Sequence, residues 1–198
     1  MDDRTAPSSH VRHNLEGLAA FFPPAYLLSF ALDSGAEPLS FGDDVPLYLR
    51  SRAAGAFGLT YRSDALSDGA IDAVRDATRL YKSIRAVLAN ADAILLSSPA
   101  DPSDHSRWDA VEELDSSTGN AVIFAFRGES APARTTLRPR ALAADAQYDV
   151  ASADGGRLGT FSGADLMTIG IEVNDNPASR AHVLTLFAVR PPATPNEF

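Results

Sequence analysis

Residues 45–68 read Val45-Pro-Leu-Tyr-Leu-Arg-Ser-Arg-Ala-Ala-Gly-Ala-Phe-Gly-Leu-Thr-Tyr-Arg-Ser-Asp-Ala-Leu-Ser-Asp68, and further on the chain reads Ala93-Ile-Leu-Leu-Ser-Ser-Pro99. Between these two pieces Ile71, Val74, Thr78, Tyr81, Ile84 and Leu88 recur three or four residues apart. That spacing predicts a helix over about Asp68–Ala89 with one apolar face. Ser67 is placed to cap it, because its hydroxyl can accept from the free N–H groups of the first turn. Asp68, Asp72 and Asp76 lie towards its N-terminus, and Arg79, Lys82 and Arg85 towards its C-terminus. Both sets complement the helix dipole. Phe57–Tyr61 before the helix and Ala93–Leu96 after it are short, apolar and β-prone. Strand, surface helix and a return to β structure predict an α/β layer. Phe57–Tyr61 alone is too small to cover the helix face, which points to the end of a larger α/β unit.

Towards the N-terminus the same rhythm continues. Val11, Leu15, Leu18, Ala19 and Phe22 recur at helical spacing, so a helix is expected over about Ser9–Phe22, ended by Pro23-Pro24. Tyr26–Ala31 is a continuous apolar run, as in a buried parallel strand. Asp33–Asp44 carries Gly35, Pro38, Gly42 and paired acids, and reads as a surface loop. Leu47–Ala54 starts a short helix that ends near Gly55.

Beyond Pro99 the pattern changes. Asp101–Arg107 is a polar linker, and after it the period becomes two. Val122, Phe124 and Phe126 alternate with Ala121, Ile123 and Ala125; Val183, Thr185, Phe187 and Val189 alternate with Leu184, Leu186 and Ala188. Trp108–Leu114, Arg134–Arg138, Tyr148–Ala151, Arg157–Phe161 and Thr168–Val173 are further strand candidates. Turn signals at Ser116–Gly119, Gly128–Pro132, Asp154–Gly156 and Asn174–Pro177 divide them. Many short strands at this spacing predict a small antiparallel sandwich.

Composition narrows the function classes. The chain has 198 residues, a net charge of -9, 45% hydrophobic residues and no cysteine. A packed core is feasible, and the length suits one large or two small domains. The acidic balance argues against a nucleic-acid partner, since phosphate contacts need clustered Lys and Arg. Disulfides and thiolate zinc sites are excluded. The apolar patch Leu18–Leu32 is broken by Pro23-Pro24 and too short to span a membrane. The start Met1-Asp2-Asp3 lacks the basic segment of a signal peptide, so a cytoplasmic protein is expected.

Several pieces, in order, resemble the α-galactosidases of glycoside hydrolase family 36. Arg52-Ala-Ala-Gly-Ala-Phe-Gly-Leu59, Asp64-Ala-Leu-Ser67 and Tyr81-Lys82-Ser-Ile-Arg85 resemble the end of that family's catalytic barrel. Arg12 and Phe21-Phe22-Pro23-Pro24 stand where the family has an Arg-led helix and its closing turn. Where the family often has a His at the end of the next strand, this chain reads Leu28-Ser29-Phe30. Ala146-Gln-Tyr148-Asp-Val150 and Gly163-Ala-Asp-Leu166-Met167 resemble elements of the family's C-terminal β domain. The resemblance covers nearly the whole chain. It implies an α/β unit followed by an all-β one: the last units of a (β/α)8 barrel in residues 1–98 and a β-sandwich in residues 99–198. It further implies hydrolysis of terminal α-galactosides by a retaining mechanism, with no metal and no organic cofactor.

A retaining mechanism needs two carboxylates about 5 Å apart, one nucleophile and one acid/base. The family's nucleophile lies on an earlier strand with no counterpart here, so residues 1–198 are expected to be inactive alone. Its acid/base stands in a Ser-Asp-Asp or Ser-Asp-Asn loop shortly before the Arg that matches Arg12. By resemblance Asp2, or failing that Asp3, is the acid/base; the plainer reading is two solvated acids at a terminus. The other candidates are weaker. His10 and His13 are three apart but have no third metal ligand nearby in sequence. Asp104-His105-Ser106 has triad residue types, but triads are spatial. Gly55-Ala-Phe-Gly58 lacks the Lys and the length of a phosphate loop. Trp108 could stack on a sugar, though a lone Trp opening a sandwich strand more often packs in a core. Arg50 and Arg52 are expected to pair with Asp43-Asp44. The alternative to an enzyme fragment is a non-catalytic remnant that binds carbohydrate or mediates assembly. The partners expected are an α-galactoside or other carbohydrate, and either a missing barrel half or a second copy of the chain, with no nucleic acid and no membrane.

Overall fold

A computed structural model describes residues 7–32, 44–60, 66–98, 101, 103–174, 176 and 178–189. The first helix, α1, is Ser8–Ala19. It stops before the predicted Phe22 because the backbone N–H groups of Phe21 and Phe22 both turn back to Leu18 O ahead of the proline pair. Pro24–Tyr26 is a 3-10 turn, so the strand that follows, β1, is Leu28–Leu32 rather than Tyr26–Ala31. Helix α2, Val45–Arg50, carries Pro46 in its first turn, where the missing N–H costs nothing. Strand β2, Ala56–Thr60, pairs with β1 in parallel, from Leu28 opposite Ala56 to Leu32 opposite Thr60. The long helix α3 is Asp68–Leu88, and Ser67 Oγ caps it by accepting from Ala70 N.

Strand β3, Asp92–Leu95, departs from the expected α/β rhythm. It lies antiparallel to β4, Trp108–Asp115. Leu96 N donates to Ala110 O, and Ser97 Oγ accepts from Ala110 N, both at 2.9 Å. These bonds fasten the end of β3 to the long strand after it, which offers a local antiparallel partner. The remaining elements are β5 (Asn120–Arg127), β6 (Arg134–Leu137), β7 (Gln147–Ser152), β8 (Gly156–Ser162), α4 (Gly163–Thr168), β9 (Ile171–Asn174) and β10 (Ala181–Ala188). The main sheet has the order β3-β4-β5-β10-β7-β8 and every pairing in it is antiparallel; β6 and β9 form a separate antiparallel pair.

Both faces of the main sheet are buried. Ala121, Ile123 and Ala125 of β5 face Leu137, Ile171 and Val173 of the smaller sheet. Val122, Phe124 and Phe126 face Ile84, Val87 and Leu88 of α3 together with Leu47, Ala53 and Ala54. The predicted alternation therefore sorts residues between two covered faces. Only the C-terminal part of the α3 stripe reaches this core. Its N-terminal part turns Ala70 and Val74 onto Val45, Tyr48 and Leu66, while Ile71 is exposed.

Two polar clamps join α2 to the sheet. Asp44 caps α2 at Leu47 N (2.9 Å) and also accepts from Ser179 Oγ (2.7 Å) and Arg180 N (2.8 Å). Arg50 makes a bidentate pair with Asp154 (2.6 and 2.7 Å) and donates to Ala181 O. So Arg50 pairs across to the β7–β8 turn. Close packing elsewhere leaves no room at Gly163, where an added Cβ would stand 2.0 Å from Ala143 O. Gly163→Ala is expected to cost roughly 1–3 kcal/mol, read as a fall in the urea midpoint without a change in slope.

Candidate functional site

Asp2 and Asp3 lie outside the described residues, as do Tyr61, Asp64 and most of the Asp33–Asp44 loop. Arg52 links the start of α1 to β1. Arg52 is almost wholly buried; its Nε donates to Phe30 O of β1 (3.0 Å) and its Nη1 to Tyr48 O (3.0 Å), with Ser8 Oγ at 3.5 Å. Its guanidinium stacks on the Tyr48 ring, 3.7 Å from the centroid. A planar, weakly hydrated cation with a fork of donors suits this position, and Lys would not replace it. The C-terminal ends of the parallel pair are Leu32 and Thr60.

A second polar cluster lies at the junction of α1 and β4. Helical spacing puts Arg12, His13 and Glu16 on the face of α1 that meets Asp109 of β4. Arg12 Nε donates to Asp109 Oδ2 at 3.0 Å, and His13 Nε2 stands 3.1 Å from the same oxygen. Arg12 also lies over the Phe126 ring, 5.4 Å from its centroid. Burial pushes the Asp109 carboxyl up, but His13 and Arg12 beside it more than offset this, and it is held below its ordinary value. Glu16 goes the other way. Burial, and then the negative charge of Asp109, raise it to about 7 against the opposing pull of His13 and Arg12. His10 and His13, the weak candidate pair in the sequence, are split: His10 is exposed, and His13 turns into the cluster. The third and fourth members, Glu16 and Asp109, were not singled out in sequence. The His13-x-x-Glu16 spacing was a visible signal for one of them. Asp109, second in a strand with three other acids, gave no comparable signal.

Strand β4 carries further buried acids. Glu112 Oε2 accepts from Arg140 N, and burial raises its carboxyl despite the backbone donors of Arg140 and Ala141. Glu113 is buried on the helix-covered face, and burial alone raises it to about 8. Asp115 is a turn residue; it accepts from Ser117 and Thr118 as the chain folds back into β5.

The remaining sequence candidates resolve into structure. Asp104 accepts from both the backbone N–H and the hydroxyl of Ser106, and Ser130 donates to His105 O, so this run is a folded turn. The Trp108 indole N–H donates to Pro132 O, and the ring packs against His182 with centroids 5.4 Å apart. That agrees with the core reading, although Trp108 also borders a cleft of about 390 Å³ with Thr135, Arg138 and Arg140. Among the described residues no helix is long and apolar enough to cross a membrane.

Comparisons with known proteins agree with this architecture. Residues 107–186 match the family model of the glycosyl hydrolase family 36 C-terminal domain. The chain superposes on the family 36 α-galactosidase AgaB from Geobacillus stearothermophilus with a TM-score of 0.76 and 18% identity, covering 95% of this chain and 25% of that one. The galactosidase domain of the α-galactosidase-sucrose kinase AgaSK gives a TM-score of 0.73 and 21% identity, again over 95% and 25%. A variant of AgaA from G. stearothermophilus, solved in complex with raffinose, gives a TM-score of 0.59 and 20% identity over 72% and 19%. The chain thus spans about a quarter or less of the length of these structures. No curated protein sequence matches it.

Proposed function

We propose that this chain is the C-terminal portion of a retaining α-galactosidase, with residues 1–98 supplying the last units of its catalytic barrel and residues 99–198 its C-terminal β-sandwich. The observation that carries the reading is a continuity. One chain joins a parallel strand pair, flanked by helices, to an antiparallel sheet whose residues 107–186 match the family 36 C-terminal domain. The exposed apolar residues support the same reading. Phe21 and Tyr26 are 82% and 80% exposed, and Phe22, Leu28 and Leu59 about half exposed, all around the parallel pair. Two parallel strands cannot bury both of their faces, and such a surface is a place for further strands to dock. The preceding half of the barrel is the natural occupant, and self-association of the isolated chain is the substitute.

In this reading Asp2, or failing that Asp3, protonates the leaving oxygen, and the nucleophile comes from the preceding half of the barrel. Residues 1–198 alone then cannot form the covalent glycosyl intermediate. General acid help by itself is worth about 10²–10⁴-fold, far below what glycoside cleavage needs. The test is an assay on an aryl α-galactoside. Residues 1–198 are expected to show no turnover. The chain completed by the first half of a family 36 barrel, in cis or as a second chain, is expected to show it. Asp2→Ala or Asp3→Ala in the completed enzyme should lower kcat by about 10² or more. Turnover by residues 1–198 alone would overturn the assignment, and full activity in both variants would show that neither acid is catalytic. Inactivity of the completed chain would favour a non-catalytic carbohydrate-binding remnant.

A further inference from the structure

We propose that His13, Glu16 and Asp109 form a binding site for a divalent transition-metal cation, Zn²⁺, which ties α1 to β4. This inference does not depend on the galactosidase reading. One donor atom from each of the three side chains lies within 4.8 Å of the other two. Three atoms at that separation surround a point at most about 2.8 Å from each, and zinc bonds to imidazole nitrogen and carboxylate oxygen are about 2.0–2.2 Å long. Closing the site therefore needs each side chain to move by roughly 0.8 Å or less.

The second observation is that the donors of two of the three, Glu16 and His13, are unused. Glu16 is 9% exposed, and among the described residues its Oε1 has no hydrogen-bond partner. Neither ring nitrogen of His13 has one either, although Nε2 is 3.1 Å from Asp109 Oδ2. An imidazole so near a carboxylate without an aligned bond leaves its lone pair free for a third atom. Buried polar atoms without partners are rare in folded proteins, and each asks for an explanation. A metal ion answers both at once. Imidazole with two carboxylates is a borderline donor set, suited to zinc more than to magnesium or calcium. Arg12, on the same Asp109 oxygen, fixes the carboxylate in place. Its charge also opposes a cation, which lowers the affinity. The ion would pin a helix of the α/β part to a strand of the antiparallel sheet, 93 residues on from Glu16 (109 minus 16).

The 198-residue chain, stripped with a chelator, would be titrated with ZnCl₂ by calorimetry and melted with and without it. One equivalent of zinc is expected to bind, and the melting temperature is expected to rise with zinc concentration. His13→Ala and Glu16→Gln should each weaken binding at least 10-fold and abolish the thermal shift. His10→Ala and His105→Ala should change neither, and MgCl₂ should give no shift. Co²⁺ in place of zinc should show a visible absorption band that His13→Ala removes. If His13→Ala does not fold, the near-isosteric Glu16→Gln carries the test. Absence of zinc binding overturns the proposal, and so does binding that Glu16→Gln leaves unaltered.

Discussion

The Glu113→Gln variant is expected to be more stable than the parent chain at alkaline pH, and its advantage should shrink as the pH falls. Glu113 is 1% exposed, and among the described residues its Oε2 has no hydrogen-bond partner. Burial raises its carboxyl from 4.5 to about 8. Below pH 4.5 the folded and unfolded chains both hold the proton, and the group adds no pH dependence. Between 4.5 and about 8 the unfolded chain has lost the proton and the folded chain keeps it. Unfolding then releases a proton, so stability falls by about 1.4 kcal/mol per pH unit. Above about 8 the penalty is complete and levels off, at a total on the order of 5 kcal/mol. Glu16 and Glu112, also raised, add to the fall in the parent chain, so the informative quantity is the difference between variant and parent. Urea unfolding at pH 5, 6.5, 8 and 9 measures it. Parallel stability curves would mean that Glu113 ionises freely in the folded state.

Arg52→Ala is expected to cost about 3–5 kcal/mol, the scale for losing two buried hydrogen bonds from a cation together with its stacking on a ring. The change removes the Arg52 hydrogen bonds to Phe30 O and Tyr48 O and takes the guanidinium from the Tyr48 ring. Each lost hydrogen bond from the cation costs about 1.5–3 kcal/mol, and the lost stacking about another 1–2. Arg52→Lys should recover only part of the loss, since an ammonium cannot reach both carbonyls in one plane while stacked. Arg50→Ala gives the contrast. Its pair with Asp154 is partly exposed, so a loss of roughly 1 kcal/mol is expected. Amide exchange should show where the damage falls: Arg52→Ala should speed exchange in β1 and β2 before the antiparallel sheet. Equal losses for Arg50→Ala and Arg52→Ala would show that burial does not set the scale.

Much of this fold could be read from local pattern. Ser67 and the stripe from Val74 to Leu88 placed α3 to within a residue, because capping and period are properties of the chain itself. The alternation in 121–126 and 183–188 placed β5 and β10 for the same reason. Apolar β-prone runs placed β1 and β2, though the 3-10 turn at Pro24–Tyr26 moved the start of β1 by two residues. Pairing was another matter. Ala93–Leu96 carries the same signal whether its neighbour is parallel or antiparallel, and only the adjacent edge of β4 decided it. The clusters were hidden for a related reason. Arg12, His13 and Glu16 look like ordinary helix-surface residues until a strand 93 positions from Glu16 brings Asp109 against them. Nor does anything local in Glu112-Glu113 say that the sheet will be covered on both faces and bury the two acids on opposite sides. The sequence alone determined which segments are helices and strands and which faces are apolar, since those follow from spacing along the chain. The tertiary structure decided which strands pair, which charges are buried and which donors converge, since those depend on what is packed alongside.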